Sequence, residues 1–174
     1  MSDLIEKAKQ FATDAHASID QQRKYSRDPY IVHPQRVAAT VATVTDDEAI
    51  IAAAWLHDVV EDTPITIEQI ESEFGNDVAN LVSDLTNASK REDGNRAERK
   101  AIDRAHTAAA DPRAKTVKLA DLIDNLPDLA ENDPGFARIY VKEKELQLAL
   151  LKEGDRELWK RAEQIVDRIK DELL

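Results

Sequence analysis

The chain has 174 residues, with 24 Lys and Arg against 35 Asp and Glu, a formal net charge of −11. That length suits a single domain with a sizeable core, and an acidic chain repels the phosphates of nucleic acids and anionic membranes. There is no cysteine, which excludes disulfides, thiolate zinc sites and a cysteine nucleophile.

The few glycines and prolines, 4 and 6, punctuate long stretches of helix-forming residues. Ser2 can cap a first helix whose apolar stripe is Leu4, Ile5, Ala8, Phe11, Ala12 and Ala15. A polar loop follows over about 20–32, and Pro34 suits the first turn of a second helix over about 34–44. Thr45 with Glu48 reads as a capping box opening a third helix over about 46–62, ended by Pro64. Thr66 with Gln69 repeats the pattern for a short fourth helix, with Gly75 as its C-terminal cap. A fifth runs over about 76–88, then a polar loop over 89–95. Further helices are expected over about 96–110, 113–126, 135–153 and 155–173, separated by Asp111-Pro112, Pro127, Asp133-Pro134-Gly135 and Gly154. No stretch alternates as a strand does, so the expected class is all-α, a compact helical bundle. The longest apolar run, Ala49 to Leu56, is too short to span a bilayer. The N-terminus has no signal-like pattern, so a cytoplasmic protein is expected.

The apolar run of the third helix ends abruptly in His57-Asp58-Val59-Val60-Glu61-Asp62. On a continuous helix His57 and Glu61, and Asp58 and Asp62, form two adjacent i, i+4 pairs in one polar patch. Buried carboxylates need compensation, and a metal ion supplies it. His33 before Pro34, and Asp121 with Asn125 on an apolar helix face, are the other candidates. Two imidazoles and two carboxylates from His33, His57, Asp58 and Asp121 suit Mn²⁺ or Fe²⁺, and less distinctively Zn²⁺ or Co²⁺. Each residue alone has an ordinary alternative in packing or capping. His16 reads as a packed or partly exposed histidine, His106 as a surface one, and Trp55 and Trp159 as core.

Three segments together carry a resemblance: Tyr30-Ile31-Val32-His33-Pro34, Leu56-His57-Asp58-Val59-Val60-Glu61-Asp62-Thr63, and Val117-Lys118-Leu119-Ala120-Asp121-Leu122-Ile123-Asp124-Asn125-Leu126. The sequence resembles the HD-domain hydrolases. Within them it is similar to the guanosine polyphosphate (ppGpp) 3′-pyrophosphohydrolases, namely the hydrolase domains of RelA/SpoT proteins and the stand-alone small alarmone hydrolases such as metazoan Mesh1. The likeness runs from about Phe11 to Leu129, and the expected organisation is one HD-type domain over 1–174, with C-terminal helices over about 133–174. The resemblance implies that His33, His57, Asp58 and Asp121 hold a metal, usually Mn²⁺. It implies that Glu61 and Asp62 orient or deprotonate the attacking water, and that Arg23, Lys24, Arg96 and Asn125 contact the nucleotide. Three positions depart from the family pattern. Arg27 stands where glycine is frequent, Pro127 where a basic residue is frequent, and Lys144 near where a tyrosine is common.

The leading expectation is a metal-dependent hydrolase that releases pyrophosphate from the 3′ position of ppGpp or pppGpp. The alternatives are the same chemistry on another phosphorylated nucleotide, an adenosine alarmone or NADPH, and a catalytically silent nucleotide- or partner-binding module. The intact Glu61-Asp62 pair argues against the last. The expected partner is a small phosphorylated nucleotide, with no nucleic acid and no membrane.

Overall fold

A computed structural model describes residues 2–174; Met1 lies outside the described residues. The chain divides into two compact units, residues 1–86 and 87–174. No regular strand occurs among the described residues; one isolated bridge, Gln22 to Pro29, ties the ends of a loop. The all-α class is as expected.

Unit 1 contains α1 (Asp3–Ser18), α2 (Val32–Ala42), α3 (Glu48–Leu56), α4 (Val59–Asp62), α5 (Ile67–Phe74) and α6 (Asn76–Leu85). Its centre is α3, in which every residue from Ile50 to Leu56 is buried. Three consecutive alanines, Ala52, Ala53 and Ala54, let α1, α2 and α6 pack closely around it. Ser2 caps α1 by accepting from Ile5 N, and the Thr66–Gln69 capping box forms in full. Gly75 follows α5 at φ 89°, where a side chain would be strained.

Unit 2 contains a 3₁₀ turn (Arg91–Asp93), then α7 (Arg96–Ala108), α8 (Pro112–Asn132), α9 (Pro134–Leu148) and α10 (Arg156–Leu173). Helices α8, α9 and α10 pack on one another pairwise, and α7 packs on α9. The buried stripe of α10, Leu158, Ala162, Val166 and Ile169, follows the helical period. Lys115 is buried on α8, donating to Ala108 O at 3.1 Å and to Glu153 Oε1 at 2.5 Å.

Several expectations need correction. The N-cap of α3 is Asp47, whose carboxylate accepts from Ala49 N and Ile50 N; Thr45 instead accepts from Asp47 N. Two polar residues competed for the role, and the one nearer the helix took it. The third helix is also broken: α3 ends at Leu56 and α4 starts at Val59. The His57 ring bonds Ala54 O at 2.6 Å, occupying the carbonyl that would receive Asp58 N in a continuing helix. Helix α2 starts at Val32, placing His33 inside its first turn, and α6 stops at Leu85. Pro127 does not separate helices; it sits inside α8. It forfeits one backbone bond, and packing of α8 against α9 and α10 keeps the helix continuous. Trp55 is core, but Trp159 is half-buried, with its Nε1 donating to Leu148 O at 2.9 Å.

Candidate metal centre and active site

Three helix-terminal positions of unit 1 converge. His33 comes from the first turn of α2, and His57 and Asp58 from the two-residue break between α3 and α4. Both imidazoles are buried. The Asp58 Oδ2 atom lies 3.1 Å from His57 Nε2 and 3.6 Å from His33 Nε2. The two rings meet edge-on, with centroids 5.2 Å apart.

The chemistry of this donor set fits a divalent cation. A neutral His57 that donates through Nδ1 to Ala54 O presents its lone pair at Nε2, towards a carboxylate oxygen 3.1 Å away. Two electron-pair donors at that distance repel unless a positive charge stands at the site. Nitrogen and oxygen ligands without thiolate are what Mn²⁺, Fe²⁺, Co²⁺ and Zn²⁺ accept. The backbone contact to His57 also fixes its ring tautomer, as the outer partners of metal-binding histidines commonly do.

Tyr30 holds Asp58 from a third direction. Its hydroxyl donates to Asp58 Oδ2 at 2.6 Å, and its ring lies 4.8 Å from that of His16 and 5.7 Å from that of His33. The motif containing Tyr30 was visible in the sequence, but its contact with Asp58 was not.

Glu61 is exposed on α4, one turn beyond His57. Asp62 is half-buried, and its backbone N–H donates to Asp58 O at 2.9 Å. That bond preserves the expected one-turn offset despite the helix break. The Asp62 carboxylate accepts from Gln21 Nε2 at 3.1 Å, and Gln21 Oε1 lies 2.8 Å from His16 Nδ1. Burial first, and then the Asp58 carboxylate, raise the Asp62 pKa above the ordinary 3.8, opposed by the Gln21 bond. Burial lowers the His16 pKa below 6.5. His16 is therefore packed, as expected, but wired to a functional candidate. Its spacings to Gln21 and Asp62 have no helical or strand period, so no sequence pattern announced the link.

The loop bearing Arg23 and Lys24 is pinned at both ends. Arg23 N donates to Asp28 O at 2.8 Å, and Tyr30 N to Gln21 O at 2.9 Å. Arg23 is buried, whereas Lys24 is exposed, with its ammonium 5.2 Å from the Tyr25 ring. Arg27 has φ +66°, a left-handed conformation that glycine adopts without strain. The geometry thus accounts for a glycine preference at this position, which this chain does not follow.

Within unit 2, Asp121 and Asn125 share a face of α8, and Asn125 Nδ2 donates to Asp121 Oδ1 at 2.9 Å. Arg96 opens α7. It makes a two-pronged bond to Glu143, Nε to Oε1 at 2.7 Å and Nη2 to Oε2 at 3.0 Å, and stacks 5.0 Å from the Phe136 ring centre. Lys100 lies one turn along α7; burial, then Lys144 and Arg96, depress its pKa below 10.5.

A family model described as HD domain matches residues 8–147. A probable guanosine-3′,5′-bis(diphosphate) 3′-pyrophosphohydrolase from Synechocystis sp. is 45% identical over 143 residues, covering 80% of this chain but only 18% of that protein. Guanosine-3′,5′-bis(diphosphate) 3′-pyrophosphohydrolase MESH1 from Xenopus tropicalis is 39% identical over 145 residues, covering 80% of this chain and 78% of that protein. MESH1 from Drosophila melanogaster is 40% identical, covering 72% and 69% respectively. A solved structure described as a metazoan ortholog of SpoT that hydrolyzes ppGpp superposes with TM-score 0.86 at 31% identity, covering 100% of this chain and 98% of its own. No helix among the described residues is long and apolar enough to cross a membrane.

Proposed function

We propose that this chain, which belongs to the HD domain family, is a metal-dependent hydrolase that removes the 3′-pyrophosphate of ppGpp or pppGpp to give GDP or GTP. The carrying observation is the convergence of His33, His57 and Asp58 in unit 1, with an acidic pair one turn further on. The substrate follows from relatives about 40% identical whose names state that activity. We assign Asp121 as the fourth ligand, with its carboxylate oriented by Asn125. Mn²⁺ is the proposed ion, and a nitrogen and oxygen set also admits Fe²⁺, Co²⁺ and Zn²⁺. When bound, the ion polarises a phosphoryl oxygen and lowers the pKa of water.

The chain's own groups supply the rest. Glu61 accepts a proton from the attacking water as its oxygen bonds to the phosphorus attached to O3′. The P–O3′ bond breaks in line, and the proton passes to O3′. Asp62 orients the water. Arg23, Lys24 and Arg96 hold the phosphates, with Arg96 exchanging the Glu143 carboxylate for a phosphate of similar bidentate shape. Asn125 contacts the nucleotide. The family match crosses the boundary between the two units, which supports one functional HD-type domain over the whole chain. A cytoplasmic location and a small nucleotide as the only substrate class complete the proposal.

The test is a nucleotide panel with the purified protein and Mn²⁺: ppGpp, pppGpp, GTP, the adenosine analogues and NADPH, identifying the leaving group. Pyrophosphate from ppGpp and pppGpp, abolished by a chelator, is expected. Turnover of NADPH or GTP alone would overturn the 3′-pyrophosphohydrolase reading, and binding without turnover would leave a silent nucleotide-binding module.

A further inference from the structure

Two side chains of unit 1, His16 and Gln21, make contacts that the proposed reaction does not yet use. The Gln21 amide bridges His16 Nδ1 at 2.8 Å and Asp62 Oδ2 at 3.1 Å. Each end dictates the other. An ionised carboxylate only accepts, so the amide turns its NH₂ to Asp62 and its carbonyl to His16. That carbonyl also only accepts, so His16 carries its proton on Nδ1. Nε2 is then the lone-pair nitrogen of the neutral ring, and it is a buried atom with no hydrogen-bond partner. The flipped amide would set two oxygens against each other at Asp62.

The backbone makes this arrangement rigid. Gln21 N donates to His16 O at 3.1 Å, closing the end of α1, and Gln21 O receives Tyr30 N at 2.9 Å. Asp20, between them, sits at φ 52° to make the turn. Gln21 is thus anchored through main chain and side chain before it reaches Asp62. A carboxylate needs such a hold, because rotation about its terminal torsion is broad.

We propose that His16 and Gln21 are positioning residues for the hydrolysis, locking the Asp62 carboxylate in the orientation that directs the attacking water. The proposal rests on the assignment of Asp62 to that water. His16 acts through Gln21, and Gln21 through Asp62.

The experiment measures kcat, KM and metal content with ppGpp and Mn²⁺. Gln21→Met keeps the length of a half-buried side chain and removes both polar contacts. It should lower kcat about 10- to 100-fold, the scale of a misplaced catalytic group, with KM and metal content within twofold. His16→Leu should do the same. His16→Asn, whose amide N–H can replace Nδ1–H, should restore most of the loss. Gln21→Met combined with Asp62→Asn should be no slower than Asp62→Asn alone. Should His16→Leu fail to fold, Gln21→Met and the double variant decide. Wild-type kcat in Gln21→Met beside a slow Asp62→Asn overturns the positioning role and leaves Asp62 standing. Wild-type kcat in Asp62→Asn itself overturns the assignment of Asp62, and this proposal with it. A raised KM or lost metal in Gln21→Met shows a general prop, which also overturns it.

Discussion

Tyr30→Phe removes one oxygen and leaves the ring contacts with His16 and His33 in place. The lost bond is short, 2.6 Å, and ends on a carboxylate. Hydrogen bonds to charged groups contribute about 1.5–3 kcal/mol. The same oxygen faces both imidazoles, at 3.1 and 3.6 Å, so its freedom is felt by both proposed histidine ligands. Loss of an outer partner typically weakens metal affinity about 10- to 100-fold, equivalent to about 1.4–2.7 kcal/mol. The two ranges overlap, and the Mn²⁺ Kd is expected to rise at least tenfold. Competition against a chromogenic chelator measures it, with the thermal midpoint of the metal-free protein as the control for packing. An unchanged Kd in a folded variant would refute the orienting role. A tighter Kd would refute it as well, because it would mean that the phenol competes with the ion for Oδ2.

Other perturbations have equally defined outcomes. Glu61→Gln keeps shape and removes basicity, so kcat should fall about 10²–10⁴-fold with metal content unchanged by elemental analysis. Arg27→Gly should leave urea stability unchanged or raise it by up to about 1 kcal/mol, because relief of the left-handed strain at φ +66° offsets or outweighs the added freedom of the unfolded chain. Gly154→Ala should destabilise by about 1–3 kcal/mol, since its Cβ would lie 3.0 Å from Thr116 N and 2.9 Å from Leu119 Cδ1; an unchanged melting midpoint would count against this packing. His16 has a lowered pKa, chiefly through burial. Below its ordinary value of 6.5, the unfolded chain therefore takes up a proton that the native state declines until lower pH. Stability should be lost as pH falls from 6.5 towards the native value, by up to about 1.4 kcal/mol per unit. Urea titrations of metal-free protein at a series of pH values should show a shallower dependence of stability on pH in His16→Asn.

Much of this was legible because local chemistry and the final structure agree. Ser2, Thr66 and Gln69 cap where their spacing says they should, and the α10 stripe needs no more than its period. His57 and Asp58 stood out as polar residues ending an apolar run. What escaped the sequence depends on partners distant along the chain or on competition between neighbours. The apolar pattern runs straight through the end of α3, so the side-chain bond from His57 that helps stop the helix leaves no periodic trace. Pro127 signals a break by its own chemistry, and only tertiary packing lets α8 continue. Trp159 reads as core by size, yet its indole N–H is spent on Leu148 O at a half-buried site.

The break between α3 and α4 also divides the site by local stability. His57 and Asp58, proposed as metal ligands, directly follow a helix that is buried almost throughout, whereas Glu61 and Asp62 lie on a helix of four residues. One turn has too few internal bonds to persist alone; here it is held by Asp62 N to Asp58 O, Thr63 N to Val59 O and contacts with α1. Its amide protons should therefore exchange with solvent through openings far smaller than those needed for α3. On warming, the acidic pair would detach before the metal ligands do, so activity would fade at temperatures where the ion is still bound and most of the helical signal is intact.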